Sequence, residues 1–165
     1  AHATLSDGGI RPFPFAVDVG PTHARTKRLC AHLPTEHAMD PVSTDDAPSF
    51  TDLYSLPIGQ GMIHGDTLYV AQLPGDPETG DIVGETMAEQ AERTLENVGA
   101  TLEAGGSSFD DVIKVTVYVT DLDAFEEFNA VYERYVSEPY PVRCAVEVAD
   151  LYETVMVELD VVAAV

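Results

Sequence analysis

Between Met87 and Thr120 the apolar period of the chain switches from that of a helix to that of a strand. Met87, Ala91, Leu95, Val98 and Leu102 recur at spacings of 4, 4, 3 and 4, the stripe of an amphipathic helix. Glu85, Glu89, Glu92, Glu96 and Glu103 occupy the other side and read as a solvated face rather than as catalytic carboxylates. Gly105-Gly106 stops the helix. From Val112 to Thr120 the pattern alternates, with Ile113, Val115, Val117 and Val119 on one side and Lys114, Thr116, Tyr118 and Thr120 on the other. A helix with one apolar stripe, followed directly by a strand with one apolar side, has to pack on a sheet.

The remaining elements follow from the same periods. Gln60–His64 and Thr67–Ala71 have strand composition around a Gly65-Asp66 turn, and Leu73–Gly80 is a loop built of turn residues. Asp123 and Glu126 resemble a capping pair ahead of a second helix, whose buried stripe is Phe125, Phe128, Tyr132 and Tyr135 and which Pro139 and Pro141 end. Val142–Val148 and Val155–Ala163 are the last strands. The predicted order is β-β-α-β-α-β-β, an α+β fold with two helices on one face of the sheet. The other face, with Thr116 and Tyr118, is partly apolar and predicts an oligomer that covers it.

Charge narrows the partners. Eight Lys and Arg stand against 29 Asp and Glu, a net charge of −21. This argues against nucleic acid, whose phosphates need basic patches. It resembles adaptation to a high-salt cytoplasm, where screening tolerates self-repulsion. No apolar run approaches the ~18 residues of a membrane helix, and no signal-peptide pattern opens the chain. Two cysteines, Cys30 and Cys144, are too few for a disulfide framework. A cytoplasmic protein without a membrane partner is the expectation.

The charge is unevenly spread. Residues 1–38 hold four Lys and Arg against three Asp and Glu, leaving four against 26 in residues 39–165. The first segment also holds His2, His23, His32 and His37 and has no sustained period. Three readings stand: a loosely packed extension, a translation start at Met39, or a metal site of Cys30, His32 and His37. The spacing of that trio matches no standard zinc pattern, so no metal is expected. Residues 40–56, with Pro41 and Pro48, read as a polar linker. The expected division is 1–56 as extension and linker, and 57–165 as the folded domain.

Arg143 is one of only four Lys or Arg after residue 38, and it stands at the opening of a strand behind a Pro-marked turn. Arg143, Ala145 and Glu147 share one side of that strand; Val142, Cys144, Val146 and Val148 share the other. A guanidinium binds a carboxylate through two parallel hydrogen bonds and keeps its charge. The plainer alternative is a surface Arg pairing with one of many acids. Glu158 shares a side with Met156 and Val162, an acid in partly apolar surroundings, which raises a carboxyl pKa and suits it to hold or deprotonate water. Its alternative is an ion pair with Lys114 or a neighbouring subunit. For Asn129 the alternative is a polar cap on its own helix. Cys144 has no nearby His base and lies on an apolar side, so it is not read as a nucleophile.

Several stretches together carry a resemblance: GDTLYV, DPETGDIVG, the helix–strand–helix from Glu89 to Val136, PVRCAVEVA and VELD. Over residues 57–165 they resemble the RidA (YjgF-type) reactive-intermediate deaminase family. The resemblance implies a chorismate-mutase-like fold assembled as a homotrimer, with clefts between subunits. It implies hydrolysis of reactive enamines and imines of the 2-aminoacrylate type to 2-keto acids and ammonia, with no cofactor or metal. Arg143 matches the family's carboxylate-binding Arg, Asn129 its helix Asn, and Glu158 its C-terminal strand Glu, with Asp160 at the second acid. Ile58 stands where the family has Tyr, with Tyr54-Ser55 four residues earlier as a candidate substitute. Ala145 falls where some members have Cys, and Ala71-Gln72 shortens the usual SGQ. These departures leave a second implied reading, a non-enzymatic trimer that binds small carboxylates or protects other proteins.

Overall fold

The computed structural model describes residues 39–165. The readings of residues 1–38, including the Cys30, His32 and His37 trio, lie outside the described residues. The described residues form one sheet of β1 (Met39–Val42), β2 (Gly61–His64), β3 (Thr67–Gln72), β4 (Val112–Val119), β5 (Val142–Glu147) and β6 (Val157–Ala164), ordered β1-β2-β3-β6-β4-β5. Neighbours are antiparallel except β4 and β5, which run parallel and are joined by a helical crossover. The helices are α1 (Phe50–Tyr54), α2 (Met87–Ala104) and α3 (Phe125–Tyr132). The fold is the expected α+β arrangement, with α2 and α3 against one face of the sheet.

The α2 stripe forms as the period predicts. Met87, Ala91, Leu95, Val98 and Leu102 are all buried against Leu68, Val70, Val115, Val117, Leu159 and Val161. A capping box starts the helix: Glu89 N donates to Thr86 Oγ1 at 3.3 Å, and Thr86 N donates back to Glu89 Oε2 at 3.1 Å. Gly105 ends it, and a Cβ there would lie 2.5 Å from Leu68 Cδ2. Only glycine lets the helix end approach β3 this closely.

Polar residues inside the apolar stripe tie loops to the sheet. Gln90 is fully buried; its Nε2 donates to Gly84 O and Thr154 O, and its Oε1 accepts from Met156 N at 2.6 Å. It thereby pins the start of β6, two residues before Glu158. Asn97 Nδ2 donates to Leu73 O and Gly75 O, and Gln72 Nε2 donates to Thr101 Oγ1. Gln60 bonds Thr44 and Ala47 and holds the loop after β1. Gln90, Asn97 and Gln60 satisfy backbone groups, and Gln72 a side-chain hydroxyl, that burial would otherwise leave unpaired.

Four expectations are corrected. Residues 40–56 are not a bare linker: β1 pairs with β2 from Met39↔His64 to Val42↔Gly61, and α1 follows it. Pro41 is tolerated because β1 is the edge strand. Ile113 is exposed and Val112 buried, because the β4–β6 register shifts between Val112 and Lys114; such a bulge reverses the alternation. Asp123 does not cap α3, whose N-cap is Ala124 without a side-chain bond; the backbone N of Asp123 donates to Asp121 Oδ1 instead. The regular part of α3 stops at Tyr132, well ahead of Pro139.

Candidate active site at the start of β5

α3 and β5 build the site. Val115 pairs with Arg143 and Val117 with Ala145, so Arg143 and Ala145 lie on the same side of the sheet as α3. Phe125, Phe128 and Tyr132 recur on one face of α3 and stack in sequence, with centroids 5.3 and 5.5 Å apart. The Arg143 guanidinium lies over this wall, 4.7 Å from the Tyr132 ring centroid, 5.4 Å from Phe125 and 6.0 Å from Phe128. Among the described residues it makes no ion pair; the two that form are Arg93–Glu96 and Arg134–Glu92.

Beside the guanidinium opens a cavity of about 570 Å³, lined by Asn129, Tyr132, Glu133, Val136, Tyr140, Pro141 and Arg143. Asn129 Oδ1 and Tyr132 Oη are buried and have no hydrogen-bond partner among the described residues. Asn129 therefore does not serve as a cap through its Oδ1. Burial pushes the Tyr132 phenol up, against the opposing pull of Arg143, and it stays protonated at neutral pH. A larger cavity of about 830 Å³ lies outside α2, but Asp46, Glu96, Glu103 and Asp110 line it. Its acidic lining repels anions.

Glu158 is not in this cavity. It pairs with Tyr118, and Tyr118 also pairs with Val146, so Glu158 lies on the face opposite Arg143. Its carboxyl pKa is raised by burial, with Asp160 two residues along adding like-charge repulsion. Ile58, 48% exposed, shares a small crevice with Ala71 at the end of β3, and Ala71 pairs with Asp160. The predicted residues thus divide. Arg143, Asn129 and Ala145 belong to the helix side, whereas Glu158, with Ile58 at the β3 end, belongs to the open side. Tyr54 does not take the place of Ile58, because its hydroxyl donates to Thr79 O at 2.7 Å. Sequence reading missed Tyr132 as a polar group, since its spacing marked it only as core. Among the described residues no cluster of His, Cys, Asp and Glu is placed to hold a metal ion, and no helix is long and apolar enough to cross a membrane.

Sheet order and crossover define a chorismate-mutase-like α+β domain, with a cavity beside Arg143 at the start of β5. The family model described as Endoribonuclease L-PSP matches residues 46–165, and the chain belongs to this family, the RidA/YjgF proteins. It is 45% identical over 118 residues to a RutC family protein of Pyrococcus abyssi, covering 69% of this chain and 93% of that one. It is 38% identical over 126 residues to the 2-iminobutanoate/2-iminopropanoate deaminase of Salmonella typhimurium, covering 74% and 94%. The crystal structure of RidA from an Antarctic Psychrobacter superposes with a TM-score of 0.70 at 38% identity, covering 76% and 99%.

Proposed function

We propose that the protein hydrolyses reactive enamines and imines of the 2-aminoacrylate type to 2-keto acids and ammonia. The observation that carries this reading is the Arg143 guanidinium, without an ion-pair partner among the described residues and held over an aromatic wall beside Asn129 in a chain of net charge −21. The guanidinium binds the carboxylate of a 2-imino acid and leaves the C=N carbon toward the cavity. Water adds to that carbon, the nitrogen takes protons, and the C–N bond breaks to release ammonia and leave a ketone. Such a reaction requires no redox partner.

A water-activating carboxylate on the opposite face cannot serve Arg143 of its own chain. We therefore place Glu158 against Arg143 of a neighbouring copy in a homotrimer, with three clefts between subunits. The open face supports this assembly: Tyr69, Val142 and Val146 are 47%, 71% and 43% exposed there, more apolar surface than a monomer keeps without use. The pKa of Glu158, raised by burial first and Asp160 second, suits a group that takes and returns a proton. The acidic surface disfavours RNA as substrate, and a cytoplasmic setting of high salt fits it.

The test is 2-keto acid release from iminopropionate or 2-aminoacrylate by the purified full chain in molar salt. Accelerated release that Arg143→Ala abolishes supports the reading. Tight binding of small carboxylates without any acceleration would instead favour the non-enzymatic reading, for which Ile58 in place of the family Tyr is the specific observation. Mixing inactive Arg143→Ala and Glu158→Gln chains should restore part of the activity, since some clefts then receive both native residues. Absence of restored activity in mixed trimers would sink the shared-cleft arrangement.

A further inference from the structure

The buried hydroxyl of Tyr132 is unexplained by packing. Phe128, one turn earlier on the same stripe, fills its place with a bare ring and is fully buried. If Tyr132 only supported the Arg143 guanidinium, phenylalanine would do so equally, because the 4.7 Å contact is made by the ring. Instead the residue is 6% exposed and carries an oxygen with no partner among the described residues. Buried hydroxyls without partners are costly and uncommon. The second buried oxygen left unpaired on this helix, Asn129 Oδ1, lies three residues earlier, and both residues line the cavity that Arg143 closes. Glu133 at the rim is exposed and brings the cavity's one carboxylate.

The three groups differ in what they offer. Arg143 donates and is charged, Tyr132 both donates and accepts, and Asn129 Oδ1 accepts. A carboxylate has about four lone-pair sites and is not saturated by one guanidinium. An adjacent N–H needs an acceptor. A 2-imino acid presents both within a few atoms.

We infer that Tyr132 is a substrate-binding residue: its hydroxyl donates to the carboxylate that Arg143 holds, while Asn129 Oδ1 accepts from the imine N–H. This assignment rests on the imine-hydrolase reading and adds to it a residue that selects for a carboxylate next to the reacting carbon. The contact is made equally to substrate and to the 2-keto acid product, whose carboxylate is unchanged. It therefore acts on binding and not on the chemical step.

Tyr132→Phe keeps the ring and removes only the donor. Titration of the full chain in molar salt with 2-oxobutanoate, a stable 2-keto acid, gives Kd; release of 2-keto acid from 2-iminobutanoate gives KM and kcat. The loss of one hydrogen bond to a charged acceptor predicts that KM and Kd both rise about ten- to a hundredfold with kcat nearly unchanged. The melting temperature should be unchanged or higher, because an unpaired buried oxygen is gone. Unchanged KM and Kd in Tyr132→Phe, beside lost binding in Arg143→Ala, would overturn the assignment and leave the imine-hydrolase reading intact. A fall in kcat at constant KM would also overturn it, since the hydroxyl would then act in the chemistry. A wild-type chain that neither binds 2-oxobutanoate nor turns over the imine removes both.

Discussion

On β6, Val157, Leu159, Val161 and Ala163 point at the helices and are at most 1% exposed, whereas Glu158, Asp160, Val162 and Ala164 point away and are half-buried or exposed. β4 repeats the contrast, with Val115, Val117 and Val119 inside and Lys114, Thr116 and Tyr118 outside. Its outer Thr116 is nevertheless 7% exposed. On the helix side, α2 and α3 bury the inner residues of β3, β4 and β6. The open side carries Glu158, whose pKa is raised by burial and then by the nearby Asp160, and apolar groups that the described residues leave exposed. The buried core thus lies on one face of these strands, and the candidate site sits at its rim, where Asn129 and Tyr132 of α3 meet Arg143 on edge strand β5, whose six residues are all exposed.

The contrast predicts where substitutions hurt. Phe128→Ala on the helix side should cost the most, about 3–5 kcal/mol, because it empties a fully buried aromatic site between α3 and the sheet. Denaturant midpoints measure it; a loss below about 1 kcal/mol would mean the α3 wall is not part of the core. Next comes Arg143→Ala, which should lower kcat/KM by on the order of a hundredfold or more with little change in melting temperature, because the lost interaction is a charge-assisted pair to ligand. Arg143→Lys should recover little, since an ammonium lacks the two-pronged geometry. A drop in melting temperature with full activity per folded chain would make Arg143 a structural residue instead.

Val146→Asp probes the open face. It is 43% exposed and sits beside Tyr118. If copies cover this face, the aspartate should dissociate the assembly while each chain keeps its far-UV signature, and light scattering reads the mass directly. Lowering the salt should act in the same direction, because the charge of residues 39–165 then repels across every subunit contact. A mass and melting temperature indifferent to both would contradict the covered face and the high-salt adaptation.

The sequence made the helix side legible because its signals are local. A stripe at spacings of 4, 4, 3 and 4 and an alternating strand need no partner to be read. Arg143 and Glu158 stood out by type and position, whereas Asn129 was marked only by the family resemblance. Three things escaped. β1 is short, polar and contains Pro41, so only its pairing with β2 reveals it. The bulge at Val112–Lys114 has no composition of its own, and it moved Ile113 to the outside. Lastly, alternation gives the side of a residue within its own strand but not how two strands are phased. The placement of Glu158 opposite Arg143 follows only from the β4–β5 and β4–β6 registers.

The smallest expected effects are on stability against pH, and the two sides of the comparison give them opposite signs. Glu158 has a raised pKa, from burial first and Asp160 second, so the folded chain keeps its proton over a range where the unfolded chain has lost it. Stability then falls as pH rises from the ordinary value of 4.5 through the raised one, and the deficit is complete above it. Glu158→Gln removes that deficit: its melting temperature should match the wild type in acid and exceed it slightly near neutrality. Asp76, in the loop before α2, behaves oppositely. Its carboxylate accepts from Thr79 N at 3.0 Å and Glu78 N at 2.9 Å, and these bonds hold its pKa below the ordinary value. Its contribution is present above the ordinary value of 3.8 and disappears as pH falls through the lowered one. Asp76→Asn should therefore be less stable than wild type at neutral pH and converge with it in acid, with a small amplitude because the group is solvent-exposed. Thermal melts of the three proteins across pH 3 to 8, at constant high salt, should show one curve converging on wild type from above and one from below. Two variants deviating in the same direction would mean that a cation faces Glu158 in the assembled protein, as Arg143 of a neighbouring copy would, and outweighs the effect of burial on its pKa.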